Sequence, residues 1–153
     1  MTDVHSPEVR SRNMRAIKSA NTKPELFVRK ALHASGLRYR LGGSGLPGRP
    51  DIVLPRYRTV IFVNGCFWHG HDCKYFKVPQ SRRDFWLEKI EANQRRDHAA
   101  LIRLGELGWN VIVIWECVIR RAEANLLEFV GKLHAQLEWN FSDSQTHEPT
   151  TID

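Results

Sequence analysis

The sequence predicts a single α/β domain, a mixed sheet flanked by helices, and three observations predict it. Two short β-rich runs, Asp51 to Leu54 and Thr59 to Val63, are joined by the turn-like PRYR, which makes them antiparallel neighbours. A long amphipathic stretch, Arg83 to Glu106, ends at Gly108 and leads into the apolar run VIVIW, Val111 to Trp115. Strand, helix and second strand form a right-handed crossover, so Thr59–Val63 and Val111–Trp115 lie parallel with their C-terminal ends on one sheet edge.

The remaining elements follow in order. Residues 1–20 read as a basic arm: Arg12, Arg15 and Lys18 recur at helical spacing, with Met14 and Ile17 on another face. Residues 21–139 form the domain proper. It opens on TKPE, Thr22 to Glu25, which has capping-box spacing. Phe27, Val28, Ala31 and Leu32 give the helix that follows an apolar face, and Gly36 ends it. Leu37, Tyr39 and Leu41 alternate with Arg38 and Arg40, the pattern of a half-buried strand. A glycine-rich loop, Gly42 to Pro50, precedes the hairpin. A last helix, about Ala122 to Trp139, is expected to cover a sheet face with Leu126, Leu127, Val130, Leu133 and Leu137. Residues 140–153, rich in Ser and Thr, are expected to be a disordered tail.

Composition narrows the function classes. The chain has 153 residues, 42% of them hydrophobic, enough for one core without disulfides. Its apolar runs are far shorter than the roughly 20 residues of a membrane helix, and its first residues lack the apolar stretch of a signal peptide. A soluble, cytoplasmic protein is expected, and in a reducing compartment three cysteines read as metal ligands or reactive thiols. All 23 Lys and Arg precede residue 140, as do all but three of the 17 acidic residues. A basic body of this kind suits a polyanion, nucleic acid first.

The densest chemistry lies in CFWHGHDC, Cys66 to Cys73. Cys66 follows the first parallel strand and Cys117 follows the second, so both thiols emerge at the same edge. With His71 and Cys73 they supply three thiolates and one imidazole, a donor set for a closed, tetrahedral structural zinc. His69 is an alternative to His71 as the fourth ligand.

A zinc ligated fully by protein hydrolyses nothing, so chemistry must sit beside it. Asp51 starts one strand of the hairpin where Val63 ends the other, and His69 lies in the loop beyond. The Asp51 carboxylate and the Val63 backbone carbonyl are hard oxygen donors suited to magnesium. A neutral His69 could take a proton from water. Glu25, if its helix start points inward, would hold a metal-bound water or orient His69. Each also has a plainer reading: a capping-box glutamate, a turn-capping aspartate, a spare zinc ligand. Phe67, Trp68 and Trp86 are core aromatics unless the polar, metal-pinned loop turns them outward as a wedge between base pairs.

Glu25, LPGRPD ending at Asp51, FVNGCFWHGHDC followed by FKVP, FWLEKI around Trp86 and WECVIR around Cys117 together resemble the very-short-patch mismatch-repair endonucleases, over a span from RSRNMRAI to about Arg121. The resemblance implies a restriction-endonuclease-like fold and a magnesium-dependent nick 5′ of the thymine in a T:G mismatch, the lesion left when 5-methylcytosine deaminates. It implies that Asp51 and the Val63 carbonyl hold magnesium, that His69 is general base assisted by Glu25, and that Cys66, His71, Cys73 and Cys117 bind zinc. It assigns intercalation to Phe67, Trp68 and Trp86. Met14 and Ile17 would plug the opposite groove, with Arg12, Arg15, Lys18 and Lys89 on the DNA backbone, and Lys74, Lys77, Arg82 and Arg83 would extend that footprint. One departure stands out: Asn64 occupies a position where the family usually has histidine, and Asn cannot exchange a proton. No acidic-x-Lys motif follows Asp51, consistent with His69 as the base.

The expected partner is duplex DNA carrying a T:G mismatch, bound by a monomer, with other mismatch-repair proteins as further candidates. The competing reading is a zinc-stabilised DNA-binding or regulatory module without chemistry, which would retain the basic face but have no use for Asp51 and His69.

Overall fold

A five-stranded mixed sheet carries the molecule, with strands in sequence order across it. The structure, a computed structural model, describes residues 6–9, 12, 21–43, 45–143 and 148–152. Met14, Arg15, Ile17 and Lys18 lie outside the described residues, whereas Arg12 is described and exposed.

Helix α1, Lys23–Ala34, starts at Thr22, whose hydroxyl accepts from the Glu25 N–H. Strand β1 is Arg40–Leu41, β2 is Ile52–Leu54 and β3 is Thr59–Asn64, joined pairwise antiparallel. The turn between β2 and β3 is a 3-10 helix, Pro55–Tyr57, closed by Arg58 in a left-handed conformation. Helix α2, Arg83–Glu106, crosses over to β4, Asn110–Trp115, which runs parallel to β3 from Thr59↔Asn110 to Asn64↔Trp115. The hairpin, the crossover and the bounds of α2 agree with the sequence expectation.

Both faces of β3 and β4 are covered, which is why their interiors, Val60 to Val63 and Val111 to Ile114, are continuously apolar. Ile61, Ile112 and Ile114 face Val28, Ala31 and Leu32 of α1 together with Phe129, Leu133 and Leu137. Val60, Val111 and Val113 face Leu104 and Leu101 of α2. The alternation comes from side-chain direction along a strand.

Three expectations need correction. The strand around residues 37–41 is only Arg40–Leu41, and both residues are exposed at the sheet edge. The last helix is two helices, α3 at Glu116–Ala122 and α4 at Leu126–Ser142, because Asn125 caps a fresh start by accepting from the Glu128 N–H. Starting at 126 turns Leu127 out to solvent, 85% exposed, and places Phe129, Leu133 and Leu137 inward. Residues 140–153 are not a disordered tail throughout. Asn140 is buried and donates to Thr59 Oγ1 at 3.0 Å, and Thr150–Ile152 forms β5, parallel to β4. Two β-branched threonines and a buried Ile152 complete the otherwise open edge of β4. Among the described residues no helix is long and apolar enough to cross a membrane.

Candidate active site and metal cluster

The parallel register puts Asn64 opposite Trp115, so Cys66 and Cys117 each lie two residues past the end of paired strands. Their thiols meet: the Cys117 N–H donates to Cys66 Sγ at 3.4 Å, and His71 Nδ1 lies 3.5 Å from Cys117 Sγ. Within the loop, His71 N–H donates to the Cys66 carbonyl at 2.9 Å. The ligand atoms of Cys66, His71, Cys73 and Cys117 all lie within 4.8 Å of one another. Around a tetrahedral ion with sulfur at about 2.3 Å, sulfurs stand about 3.8 Å apart, so the cluster needs only a small contraction.

The thiols are in unequal surroundings. Burial pushes Cys66 up to about 12 despite the N–H of Cys117. Burial acts on Cys73 in the same direction, but the backbone N–H of Tyr75 and of Phe76 and the other two thiols outweigh it, and Cys73 is lowered. Gathering three thiols, two of them buried, beside one imidazole suits a bound cation, which would convert them to thiolates. His71 stacks flat on Trp115, with centroids 4.2 Å apart and an interplanar angle of 7°, which fixes the ring that faces Cys117. His69 is not in the cluster, so the geometry selects His71 from the two histidines.

The second constellation forms at the same end of the sheet. Asp51 N–H donates to the Ile61 carbonyl at 3.1 Å, and Asp51 Oδ2 accepts from the Val63 N–H at 2.7 Å. The N–H and C=O of a strand residue point to the same neighbour, so the Val63 carbonyl faces the Asp51 side as well. Glu25, 3% exposed, approaches from α1. Burial pushes Asp51 up to about 6, the Glu25 carboxylate adds to that shift, and the Val63 N–H and His69 oppose it. Two packed carboxylates of this kind, with a carbonyl alongside, fit a divalent cation that would relieve their repulsion.

Glu25 is also more than a capping residue. Its Oε2 accepts from the Asn21 N–H at 3.0 Å and from Arg29 Nη2 at 3.0 Å. The reach-back of the capping box therefore goes one residue earlier than Thr22.

His69 turns away from the thiols toward α2, where Nδ1 meets Asp97 Oδ2 at 2.5 Å. Asp97 escaped the sequence reading. Its signal was present as a polar stripe, Asn93, Gln94 and Asp97, on the face of α2 that also carries Ile90. Asn93 Nδ2 donates to the Trp68 carbonyl at 2.9 Å, and Gln94 Nε2 to the His69 and Gly70 carbonyls at 3.3 and 3.4 Å. Gly70 permits this docking: its φ is +64°, and a Cβ there would sit 2.9 Å from Ile90 Cγ2. With Nδ1 committed to a carboxylate, Nε2 is left as the basic nitrogen.

The family model described as DNA mismatch endonuclease Vsr matches residues 2–75, a span that holds Glu25, Asp51 and the loop from Cys66 to Cys73. The chain is 50% identical over 123 residues to the DNA mismatch endonuclease Vsr of Escherichia coli K12, covering 80% of this chain and 79% of that one. It belongs to the Vsr family of DNA mismatch endonucleases. It is also 51% identical over 117 residues to the type II nicking enzyme V.XorIIP of Xanthomonas oryzae pv. oryzae, covering 76% of this chain and 86% of that enzyme. The type II nicking enzyme V.NmeAIP of Neisseria meningitidis serogroup A is 48% identical over 120 residues, 78% of this chain and 86% of its own.

As a Vsr-family protein the chain is a DNA endonuclease with a restriction-endonuclease-like fold, and an aromatic face lies beside the candidate site. Phe67 meets Trp68 edge-on at 5.1 Å and Trp86 at 5.6 Å, and Trp68 stands 6.0 Å from Trp86. Phe67 and Trp68 are half-buried, while Trp86 lies beneath them, 8% exposed. Lys89 Nζ sits 5.5 Å from the Trp68 ring and 5.8 Å from Trp86. Lys74, Lys77, Arg82, Arg83 and Lys89 are all exposed. Asn64 ends β3 opposite Trp115, just before the loop.

Proposed function

We propose that this endonuclease nicks DNA 5′ of the thymine in a T:G mismatch, with magnesium as its catalytic ion, and so repairs deaminated 5-methylcytosine. The observation that carries the reading is the pairing of a carboxylate site, Asp51 beside Glu25 and the Val63 backbone, with a histidine oriented by Asp97. Asp51 and the Val63 carbonyl hold the magnesium, which when bound stabilises negative charge building on the phosphodiester. His69 Nε2 removes a proton from the attacking water, and Asp97 stabilises the imidazolium that results. Glu25 positions that water or His69.

Cys66, His71, Cys73 and Cys117 hold a structural zinc that pins the loop. From it Phe67 and Trp68, with Trp86 behind, wedge into the stack, where a mismatch lowers the unstacking cost of a few kcal/mol. Arg12 and Lys89 bind phosphates, joined by the arm residues Arg15 and Lys18, while Met14 and Ile17 fill the opposite groove. A chromosomal duplex as substrate places the enzyme in the cytoplasm.

The test is to incubate the protein with magnesium and end-labelled duplexes bearing T:G in several contexts, then map the cut. A single break 5′ of the mismatched thymine is expected. Cleavage that ignores the mismatch, or none with magnesium present, would refute the reading.

A further inference from the structure

A carboxylate as deeply buried as that of Glu25 needs a partner, and the structure supplies one that the sequence reading did not consider. Arg29, one turn along α1, places Nη2 3.0 Å from Glu25 Oε2, with only 13% of the arginine side chain exposed. Its Nη1 continues to Asn21 Oδ1 at 2.8 Å, and the Asn21 N–H returns to the same Glu25 oxygen at 3.0 Å. The three residues close a ring around Oε2. Asn21 holds a left-handed φ of 58° to complete it, a conformation asparagine tolerates better than most residues.

The ring is poorly optimised for stability. Arg29 Nε is buried without a hydrogen-bond partner among the described residues, and an orphaned buried donor costs free energy. A buried ion pair is itself a weak stabiliser compared with apolar packing of similar volume. What the ring does achieve is orientation. With Oε2 saturated by two donors, the second Glu25 oxygen is the one left for the reaction centre, and the guanidinium balances a carboxylate that stands beside Asp51.

We propose that Arg29 is a positioning residue of the nuclease centre: it locks the rotamer of Glu25 and offsets its charge, so that Glu25 can orient water or His69 for attack on the phosphodiester. The proposal rests on reading Asp51, Glu25 and His69 as the hydrolytic centre.

Steady-state nicking of a T:G duplex by the full chain at saturating magnesium tests it, with zinc content and melting temperature measured alongside. Arg29→Met keeps the aliphatic packing and removes the donors. Its kcat should fall about 10- to 100-fold while KM for the duplex stays within about twofold. Arg29→Lys, which restores a cation without the fork, should recover part of that loss. A parental kcat in Arg29→Met overturns the proposal, as does Arg29→Lys performing no better than Arg29→Met. Should Arg29→Met fail to fold, Arg29→Gln carries the same test: a fall in kcat at unchanged KM supports the role and a parental kcat overturns it. A parent chain that does not nick removes the hydrolytic reading and the role of Arg29 with it, whereas an active parent with an unaffected variant removes only the latter.

Discussion

The thiol cluster and the Asp51 centre share one loop and one sheet edge, yet they stand on opposite energetic terms. In the cluster, four ligand atoms from two chain segments gather within 4.8 Å, and a bound ion turns their crowding into a cross-link between the loop and α3. In the other centre, burial and the neighbouring Glu25 hold Asp51 at about 6, so the fold keeps a carboxylate where it is poorly solvated. The difference teaches a contrast that fits the proposed function: one region is built to be tied together by an ion, and the other holds a carboxylate in an unfavourable setting.

Breaking the thiol cluster should have the largest effect. Cys117→Ser removes the ligand that arrives from the second strand, and structural sites of this type contribute on the order of 10 kcal/mol of apparent binding energy to folding. Metal content should fall to background, the melting temperature by more than about 10 °C, and nicking with it. A variant that loses metal but melts and nicks like the parent would dissolve the distinction between the two regions.

His69→Ala addresses the Asp51 centre alone. Because His69 bonds Asp97 and not the thiols, metal content and duplex affinity should stay parental while nicking drops by about three orders of magnitude. Loss of metal in this variant would show that the two histidines share the cluster.

Asp51→Asn sharpens the contrast through pH. Asp51 holds its proton up to about 6 in the folded chain, against 3.8 ordinarily, so between those values the folded state binds more protons than the unfolded one. Stability therefore falls as pH rises through that window, and the loss is complete above about 6. Removing the acid should raise stability by about 2 to 3 kcal/mol near neutral pH and leave it unchanged near pH 3, read by denaturant titration in magnesium-free buffer, while abolishing nicking. Equal stability of variant and parent at neutral pH would mean that Asp51 is not held under strain.

How far each region was legible in the sequence follows from the same physics. CFWHGHDC and Cys117 stood out because thiols and imidazoles in a glycine-bearing loop have few other uses, and the crossover rule alone brings Cys117 to Cys66. The α2 boundaries were readable because Gly108 and the apolar period mark them. Asp97 was not, because it is a common charged residue on a helix whose face is settled only by packing; the i,i+4 spacing of Glu25 and Arg29 was legible, but the burial that gives that pair its weight was not. The break between α3 and α4 turned on a single asparagine cap, and β5 on three residues that gain order only from the edge of β4. The loop's chemistry was visible; the partner that orients His69 is tertiary, 28 residues away on α2.

The smallest expected effect lies on the aromatic face, whose Phe67 and Trp68 belong to the loop that carries Cys66, His71 and Cys73. In the free protein Trp68 already has company: Phe67 at 5.1 Å, Trp86 at 6.0 Å and Lys89 Nζ at 5.5 Å. Entering a base stack gives up part of that packing, so the net gain is less than the roughly 1 to 3 kcal/mol of a full base–aromatic stack. The backbone under Trp68 is held separately by Asn93, so Trp68→Ala should leave metal content unchanged. Affinity for a T:G duplex should weaken about tenfold, near 1.4 kcal/mol, and affinity for a fully paired duplex by less, because a paired step already resists the wedge. Measured side by side, the two dissociation constants should converge in the variant. Equal weakening on both duplexes would assign Trp68 to general packing, leaving discrimination to groups outside the loop.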